Sequence, residues 1–261
     1  IGSQTNGSVI RPASFCGVVG YKPTHGLISR TGVLRQSALL DHVGLFATCV
    51  EDAALLAEPM MAYDPEDSDM RPRARPALRA VAAAAPPLPP RLAFVRTPVW
   101  EQADASTRAA FAELVEFLGE QAAEAALPDE FAEAHALHAA IMEADLAVSF
   151  APEYERGRDR LSPRLRQMIE SGQEVRATGY IRATARIPLL NRALDIIFDR
   201  FDAILTPAAP GEAPRGLQST GSPAFCTIWT LPGTPAITLP LLQGESGLPI
   251  GAQLVGPRRD D

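Results

Sequence analysis

The middle of the chain repeats apolar residues at helical spacing. Five segments show this pattern: 50–61, 106–120, 130–150, 162–172 and 174–201. An apolar residue every three or four positions predicts a helix with one buried face. Asp104 or Ser106 is suited to cap the second of these helices, and Ser162 followed by Pro163 marks the start of the fourth. Pro188 predicts a kink or a break in the last one.

The two ends of the chain have a different pattern, in which short apolar runs lie between glycines and prolines. Such runs predict buried strands, and the clearest are 91–95, 203–206, 236–239 and 252–255. Residues 1–26 are predicted to form turns and loops with short strand pieces. Strands near both ends with helices between them predict one α/β domain whose sheet joins the two ends.

Residues 63–90 break this pattern and predict a surface loop or linker. An acidic stretch is followed by four arginines and then by four prolines. The arginines are Arg71, Arg73, Arg75 and Arg79. They are open to two interpretations, an anion-binding patch or a solvated loop, and the mixed composition favours the solvated loop.

Composition narrows the class of protein. The chain has 261 residues, of which 46% are hydrophobic, and a net charge of -7. These values are typical of a globular domain with a sizeable core. An acidic balance argues against a nucleic-acid surface. No apolar run approaches the roughly 20 residues that cross a bilayer, so we expect no membrane segment.

The cysteines and histidines give little support for a metal site. Cys16, Cys49 and Cys226 are widely separated and form no CxxC pair, so we expect reduced thiols, a cytoplasmic location and no metal or cofactor. His135 and His138 are three residues apart on a predicted helix, a spacing that could seat a metal ion. Without an evident third ligand, a solvated helix face is the favoured interpretation.

The first segment carries the candidate chemistry. Thr5, Asn6, Gly7 and Ser8 form a polar turn, and Gly7 allows close backbone approach or positive φ. A serine nucleophile needs an exposed hydroxyl, a base and donors for an oxyanion, and successive N–H groups in such a turn can converge on one anion. A glycine-serine loop without chemistry is the alternative. The segment is not the G-x-S-x-G elbow, since no glycine follows two residues after Ser8.

A series of ordered motifs resembles the amidase signature family. The motifs near the start are GSQTNGSVIRPA at 2–13, CGVVGYKPT at 16–24 with Gly26, ISRTGV at 28–33, LDHVG at 40–44 and VEDA at 50–53. Those near the other end are LTP at 205–207, Ala213 with Pro214, GTPA at 233–236 and GLPIGAQLVG at 247–256. The resemblance implies an α/β fold with a mixed β-sheet core covered by helices, incomplete in this chain.

The resemblance also implies that residues 1–261 are part of a single amidase-like domain. Within it we expect a signature segment at 1–62, the loop at 63–90, a mainly helical variable region at 91–201 and C-terminal core strands at 202–261.

The chemistry implied by the resemblance is that of a Ser–Ser–Lys hydrolase of carboxamides. Ser8 corresponds to the nucleophile, and the backbone amides of Thr5, Asn6, Gly7 and Ser8 correspond to the oxyanion hole. A second serine bridges the nucleophile to a buried neutral lysine that acts as general base. The products are a carboxylate and ammonia or an amine, released by way of an acyl-enzyme. The expected partner is a small-molecule amide, with no cofactor and no metal.

Several positions depart from the family's pattern. Gln4 stands where many relatives have aspartate, Asn6 where many have glycine, and Arg11 one place later than usual. Lys22 belongs to a Lys-Pro-Thr turn and is expected to have a structural role. Ser3 is too close to Ser8 to act as the bridging serine.

The bridging serine and the lysine are expected upstream of the signature, so we expect a chain truncated at its N-terminus and also at its C-terminus. Such a fragment would have little or no amidase activity, because the serine would lack its base.

Other functions remain open. One is an amidotransferase A-type subunit that acts in a complex on charged tRNA, and another is a non-catalytic scaffold homologue. A homodimer is also open. Candidate substrate-binding residues are Cys226, Thr227 and Trp229, and for Trp229 a place in the core is an equal alternative.

Overall fold

The computed structural model describes residues 1–261 and contains one eight-stranded sheet with nine α-helices. The strands are β1 Gly2–Gln4, β2 Val19–Lys22, β3 His42–Ala47, β4 Leu92–Phe94, β5 Ala122–Glu124, β6 Ala203–Pro207, β7 Ala236–Gln243 and β8 Pro249–Val255. The helices are α1 Ile10–Cys16, α2 Val50–Met60, α3 Leu78–Ala83, α4 Ala105–Leu118, α5 Ala134–Ser149, α6 Ala151–Gly157, α7 Pro163–Gln173, α8 Ala177–Phe198 and α9 Ala224–Thr230.

The sheet is mixed and joins the two ends of the chain, as the sequence predicted. Its strand order is β1-β3-β2-β7-β8-β6-β4-β5. The junction is the antiparallel pair β2–β7, in which Gly20 lies opposite Thr238 and Lys22 opposite Ala236. The pairs β4–β5 and β4–β6 are parallel, and all other strand pairs are antiparallel. Because β1, β3, β2 and β7 follow one another in the sheet, the residues after β1 and the residues before β7 lie in the same half of the molecule.

Helix starts follow the predicted caps. The carboxylate of Asp104 accepts a hydrogen bond of 2.7 Å from Thr107 N and caps α4, so Asp104 and not Ser106 has this role. The hydroxyl of Ser162 accepts from Leu165 N and caps α7. Pro188 does not break α8, which runs without interruption from Ala177 to Phe198. Its buried face packs into the main core, and this packing offsets the hydrogen bond that proline cannot donate.

Four helices are absent from the sequence prediction. They are α1, α3, α6 and α9, of seven, six, seven and seven residues. Residues 1–26 are therefore not only turns and strands. The prediction of 63–90 as loop is wrong at α3, which includes Arg79. Arg71, Arg73, Arg75 and Arg79 are all exposed, as the solvated interpretation expects, and exposure alone does not distinguish it from an anion-binding patch.

The largest core cluster holds the helices against the sheet. It combines residues of α1, α5, α8 and α9 with residues of β4, β6, β7 and β8, among them Ile10, Ile141, Leu190 and Trp229. No helix is both long and apolar enough to cross a bilayer.

Candidate active site

A tight loop between β1 and α1 carries Ser8. We call residues 4–8 the Gly7 loop. The side-chain oxygen of Gln4 accepts hydrogen bonds from Val9 N at 2.8 Å and Ile10 N at 3.0 Å, so it satisfies the first amides of α1. Gln4 is buried, whereas Ser8 is exposed at the surface. The side chain of Gln4 therefore still provides a hydrogen-bond acceptor at the position where the resemblance leads us to expect aspartate.

The main-chain oxygens of the Gly7 loop are held from inside the protein. Three consecutive carbonyls each accept one hydrogen bond: Thr5 from His138 Nε2 at 2.9 Å, Asn6 from Thr230 Oγ1 at 2.5 Å, and Gly7 from Arg11 N at 3.0 Å. The donors come from α5, α9 and α1. Three separate elements therefore fix three successive peptide planes.

This anchoring dictates where the amide groups point. In a trans peptide the N–H lies opposite the preceding C=O, and the chain has no cis peptide bonds. With the carbonyls turned inward, the N–H groups of Asn6, Gly7 and Ser8 are directed away from the core. No protein acceptor takes a hydrogen bond from them or from Thr5 N. A row of free amide donors beside an exposed hydroxyl can bind an anionic oxygen next to that hydroxyl.

The side chains below the loop hold it in place. Thr227 Oγ1 donates to Asn6 Oδ1 at 2.6 Å, and Gln4 Nε2 donates to Thr230 Oγ1 at 3.0 Å. Gly7 lies directly on this layer, since a Cβ there would stand 2.8 Å from Pro223 Cβ. Such a distance is a steric overlap. Glycine is thus required at position 7 by close packing.

The predicted substrate-binding residues lie beneath the loop instead of on an open surface. Cys226 and Trp229 are fully buried and Thr227 is 4% exposed, because α9 packs against α5. Burial raises the pKa of the Cys226 thiol to about 12. Trp229 packs against Phe131 in the core, which is the alternative left open for it by the sequence. The side chains of Cys226 and Thr227 lie directly against Gly7 and Asn6 and support the loop from below.

Lys22 is the chain's single lysine, and it is fully buried. Its ammonium group donates to the main-chain oxygens of Thr234 and Pro23. Burial lowers its pKa to about 7, partly offset by the Asp261 carboxylate, which raises it. No hydrogen bond joins it to Ser8, and its contacts are those of a structural residue in β2.

The interpretation of His135 and His138 as a solvated helix face is wrong. His138 is 1% exposed and binds the Thr5 carbonyl, and His135 is half-buried and binds Ala224 O at 2.9 Å. Both face the loop and α9 because α5 packs against α9. No group of three or more histidine, cysteine, aspartate or glutamate residues is placed to hold a metal ion.

Sequence reasoning singled out Ser8 and the loop but missed the groups that hold them. The spacing of His138 and the departure at Gln4 were noted, but nothing in the sequence indicates that they or Thr230 hold the loop. Their contacts span 133, 224 and 226 residues along the chain. Only the tertiary fold brings them to the loop.

Comparison with known proteins agrees with this fold. The Amidase family model matches residues 1–261. The A-type subunit of glutamyl-tRNA(Gln) amidotransferase from Synechococcus sp. (strain CC9311) is 33% identical over 290 residues, which are 98% of this chain and 59% of that protein. The chain thus spans about three fifths of this curated relative.

Solved structures have the same architecture. A crystal structure of an amidase superposes with a TM-score of 0.81 at 25% identity, and covers 100% of this chain and 59% of its own. The A-type subunit of the same amidotransferase from Thermotoga maritima gives a TM-score of 0.76 at 26% identity, over 98% of this chain and 58% of its own. By the family match and by its α/β sheet, the chain belongs to the amidase family.

Proposed function

We propose that this chain is the part of a serine amidase that carries the nucleophile and the oxyanion-binding loop. Ser8 Oγ forms a bond to the carbonyl carbon of a small carboxamide, and the carbonyl oxygen becomes an oxyanion. The C–N bond then breaks, and ammonia or an amine leaves with the proton from Ser8. Water hydrolyses the resulting ester, which releases a carboxylate and restores the hydroxyl.

The observation that carries the proposal is the row of free amides in the Gly7 loop. The N–H groups of Asn6, Gly7 and Ser8 have no acceptor within the protein and lie beside an exposed hydroxyl. Their carbonyls are anchored, so the donors are oriented before substrate arrives. Such preorganised donors stabilise developing negative charge, and loss of one typically costs on the order of 10²–10³ in kcat.

The described residues supply no general base for Ser8. No side chain of the 261 residues forms a hydrogen bond with Ser8 Oγ, and Lys22 is engaged with two carbonyls. The family resemblance implies a bridging serine and a neutral lysine upstream of the signature. We therefore propose that the chain alone hydrolyses amides far more slowly than a protein that also contains those residues.

A small-molecule amide and a cytoplasmic location belong to the same proposal. All three cysteines are free, which suits a reducing compartment.

A second candidate is the amidotransferase role, which the 33% identical relative favours. In this alternative Ser8 releases ammonia from glutamine within a complex that acts on charged tRNA. The two candidates share the nucleophile and differ in amide donor and partners. A glutamine-dependent release of ammonia, together with co-purifying subunits, would favour the amidotransferase. Turnover of simple amides by the protein alone would favour the amidase.

The test uses the complete gene product and two serine variants. Ser8→Ala is expected to lower kcat on amides by on the order of 10⁴ or more, since it removes the nucleophile. Ser3→Ala, in β1 only five positions away, is the matched control and keeps the rate. Amide hydrolysis at the wild-type rate by Ser8→Ala would contradict the proposal. Absence of any amide or glutamine turnover in the wild type would favour the scaffold alternative.

A further inference from the structure

Two histidines one turn apart on α5 bind the two elements that form the candidate site. His138 Nε2 donates to Thr5 O at 2.9 Å, and His135 Nε2 donates to Ala224 O at 2.9 Å. Thr5 belongs to the Gly7 loop, and Ala224 is the first residue of α9. Residues three positions apart lie on the same face of a helix, so α5 can contact both elements at once.

The partner atoms define the protonation of His138. A carbonyl oxygen only accepts hydrogen bonds, so Nε2 must carry the proton. The ring is almost fully buried, and burial lowers its pKa to about 4. At neutral pH His138 is therefore a neutral donor of fixed tautomer, without a competing partner from solvent.

The bond to Thr5 O acts on the amide that follows it. The carbonyl of Thr5 and the N–H of Asn6 belong to one planar peptide, so fixing the first orients the second. Without the bond, this peptide can rotate about its flanking dihedrals, and Asn6 N–H can leave the row of free donors. Thr5 keeps only its side-chain bond to Asp41, at 2.6 Å.

We propose that His138 is a positioning residue that sets the orientation of the Asn6 amide, and that His135 keeps α9 in register with it. This inference rests on the proposed function, because the oriented amide matters only if Ser8 is acylated. It assigns a role in the site to α5, which lies in the middle region that carries no motif.

The experiment compares four variants of the complete gene product on a simple amide. His138→Leu removes the donor, and His138→Gln places an amide donor near the position of Nε2. Ile141→Val, one turn further along α5 and equally buried, is the control for packing of the helix. Ser8→Ala tests the underlying function. For each, kcat, KM and the midpoint of thermal unfolding are measured.

We expect His138→Leu to lower kcat at least tenfold with KM within about twofold of wild type, and His138→Gln to recover most of that loss. Ile141→Val should keep kcat. An unchanged kcat in a folded His138→Leu, with Ser8→Ala inactive, would overturn the inference and leave the proposed function intact. Full activity in Ser8→Ala would instead overturn both.

If His138→Leu does not fold, the inference is tested by comparing kcat in His138→Gln and His138→Asn. Asparagine is one methylene shorter and does not reach Thr5 O, so we expect its kcat to be several-fold lower than that of the glutamine variant. Equal kcat values in the two variants would overturn the inference.

Discussion

Thr230 Oγ1 donates a hydrogen bond of 2.5 Å to the main-chain oxygen of Asn6. The two residues are 224 positions apart in the sequence, and Thr230 is fully buried. Its hydroxyl also accepts from Gln4 Nε2 at 3.0 Å. One side chain of α9 thus anchors both the start and the middle of the Gly7 loop. Because Thr230 is fully buried, loss of its hydroxyl would remove a hydrogen-bond partner from both Asn6 O and Gln4 Nε2.

Substitution of Thr230 tests this anchor. Thr230→Val keeps the shape but removes the hydroxyl, so it leaves Asn6 O and Gln4 Nε2 unsatisfied. We expect a loss of about 1–3 kcal/mol in the free energy of unfolding, together with a lower kcat. Thr230→Ser retains the hydroxyl and is the control, which should keep most of the activity. Equal activity and stability in the valine variant and wild type would show that the anchor is unimportant. Urea unfolding and amide hydrolysis are the two measurements.

Gly7 offers a steric test of the same loop. In Gly7→Ala the new methyl group would lie 2.8 Å from Pro223 Cβ and 3.1 Å from Cys226 Cβ, so the loop must lift off α9. We expect a loss of more than tenfold in kcat and a lower melting temperature. Gly179→Ala is the matched control, because Gly179 has no neighbour within 4 Å and lies in α8. That variant should gain up to about 1 kcal/mol from helix propensity. Normal activity in Gly7→Ala would contradict the close packing.

The lowered pKa of Lys22 predicts that the free energy of unfolding depends on pH. Its pKa is about 7 in the folded chain, against 10.5 for an ordinary lysine, because the charged form is buried. Between these values the unfolded chain holds a proton that the folded chain has released, so stability rises with pH. Relative to Lys22→Met, the wild type should therefore gain stability between about pH 7 and pH 9, with a slope of at most about 1.4 kcal/mol per pH unit. Urea unfolding of both proteins measures it, and a constant difference would contradict the shifted pKa.

The ion pairs of Arg30 with Asp67 and Asp69 are expected to stabilise the folded chain. Arg30 binds Asp67 through Nε and a terminal nitrogen, at 3.0 and 2.7 Å, and Asp69 at 2.5 Å. Asp67 is almost buried, and the hydrogen bonds from Arg30 hold the pKa of its carboxyl far below the usual range. Lysine cannot form this fork, so Arg30→Lys should cost about 2 kcal/mol or more.

The control for this prediction is the exposed pair between Arg158 and Glu170. Arg158→Lys should change the free energy of unfolding by less than about 0.5 kcal/mol, because water screens the pair. Similar losses of unfolding free energy in Arg30→Lys and Arg158→Lys would contradict the expectation that the buried ion pair contributes more than the exposed one. Thermal and urea unfolding give the comparison.

The sequence predicted the long helices and the individual strands because their patterns are local, and strands near both ends with helices between them predicted the joined sheet. Helix α7 begins at Ser162 and Pro163, as its cap residues indicate. Helix α9 was missed because all seven of its residues are buried. A helix without a polar face shows no periodicity, and its aromatic and β-branched residues resemble a strand. Helix α1 was missed because it is short and follows a glycine-rich turn.

The residues of the candidate site also differ in whether the sequence alone could identify them. Gly7 and Ser8 stand out because the motif around them is long, whereas a glycine-serine turn alone would be an ordinary loop. The anchors His138 and Thr230 could not be found, since each contacts the loop across more than a hundred residues. Their residue types fit a helix face equally well in solvent or in the core. Only the packing of α5 and α9 distinguishes the two.

Covalent labelling of Ser8 tests the central claim most directly. The complete gene product is treated with a fluorophosphonate probe, and the modified residue is located by peptide mass spectrometry. Ser3→Ala serves as the labelled control and Ser8→Ala as the unlabelled one. We predict a single adduct, on Ser8, that forms in step with loss of amide hydrolysis and is absent from Ser8→Ala. Loss of activity with the adduct on another residue, or labelling that persists in Ser8→Ala, would contradict the assignment of Ser8 as nucleophile.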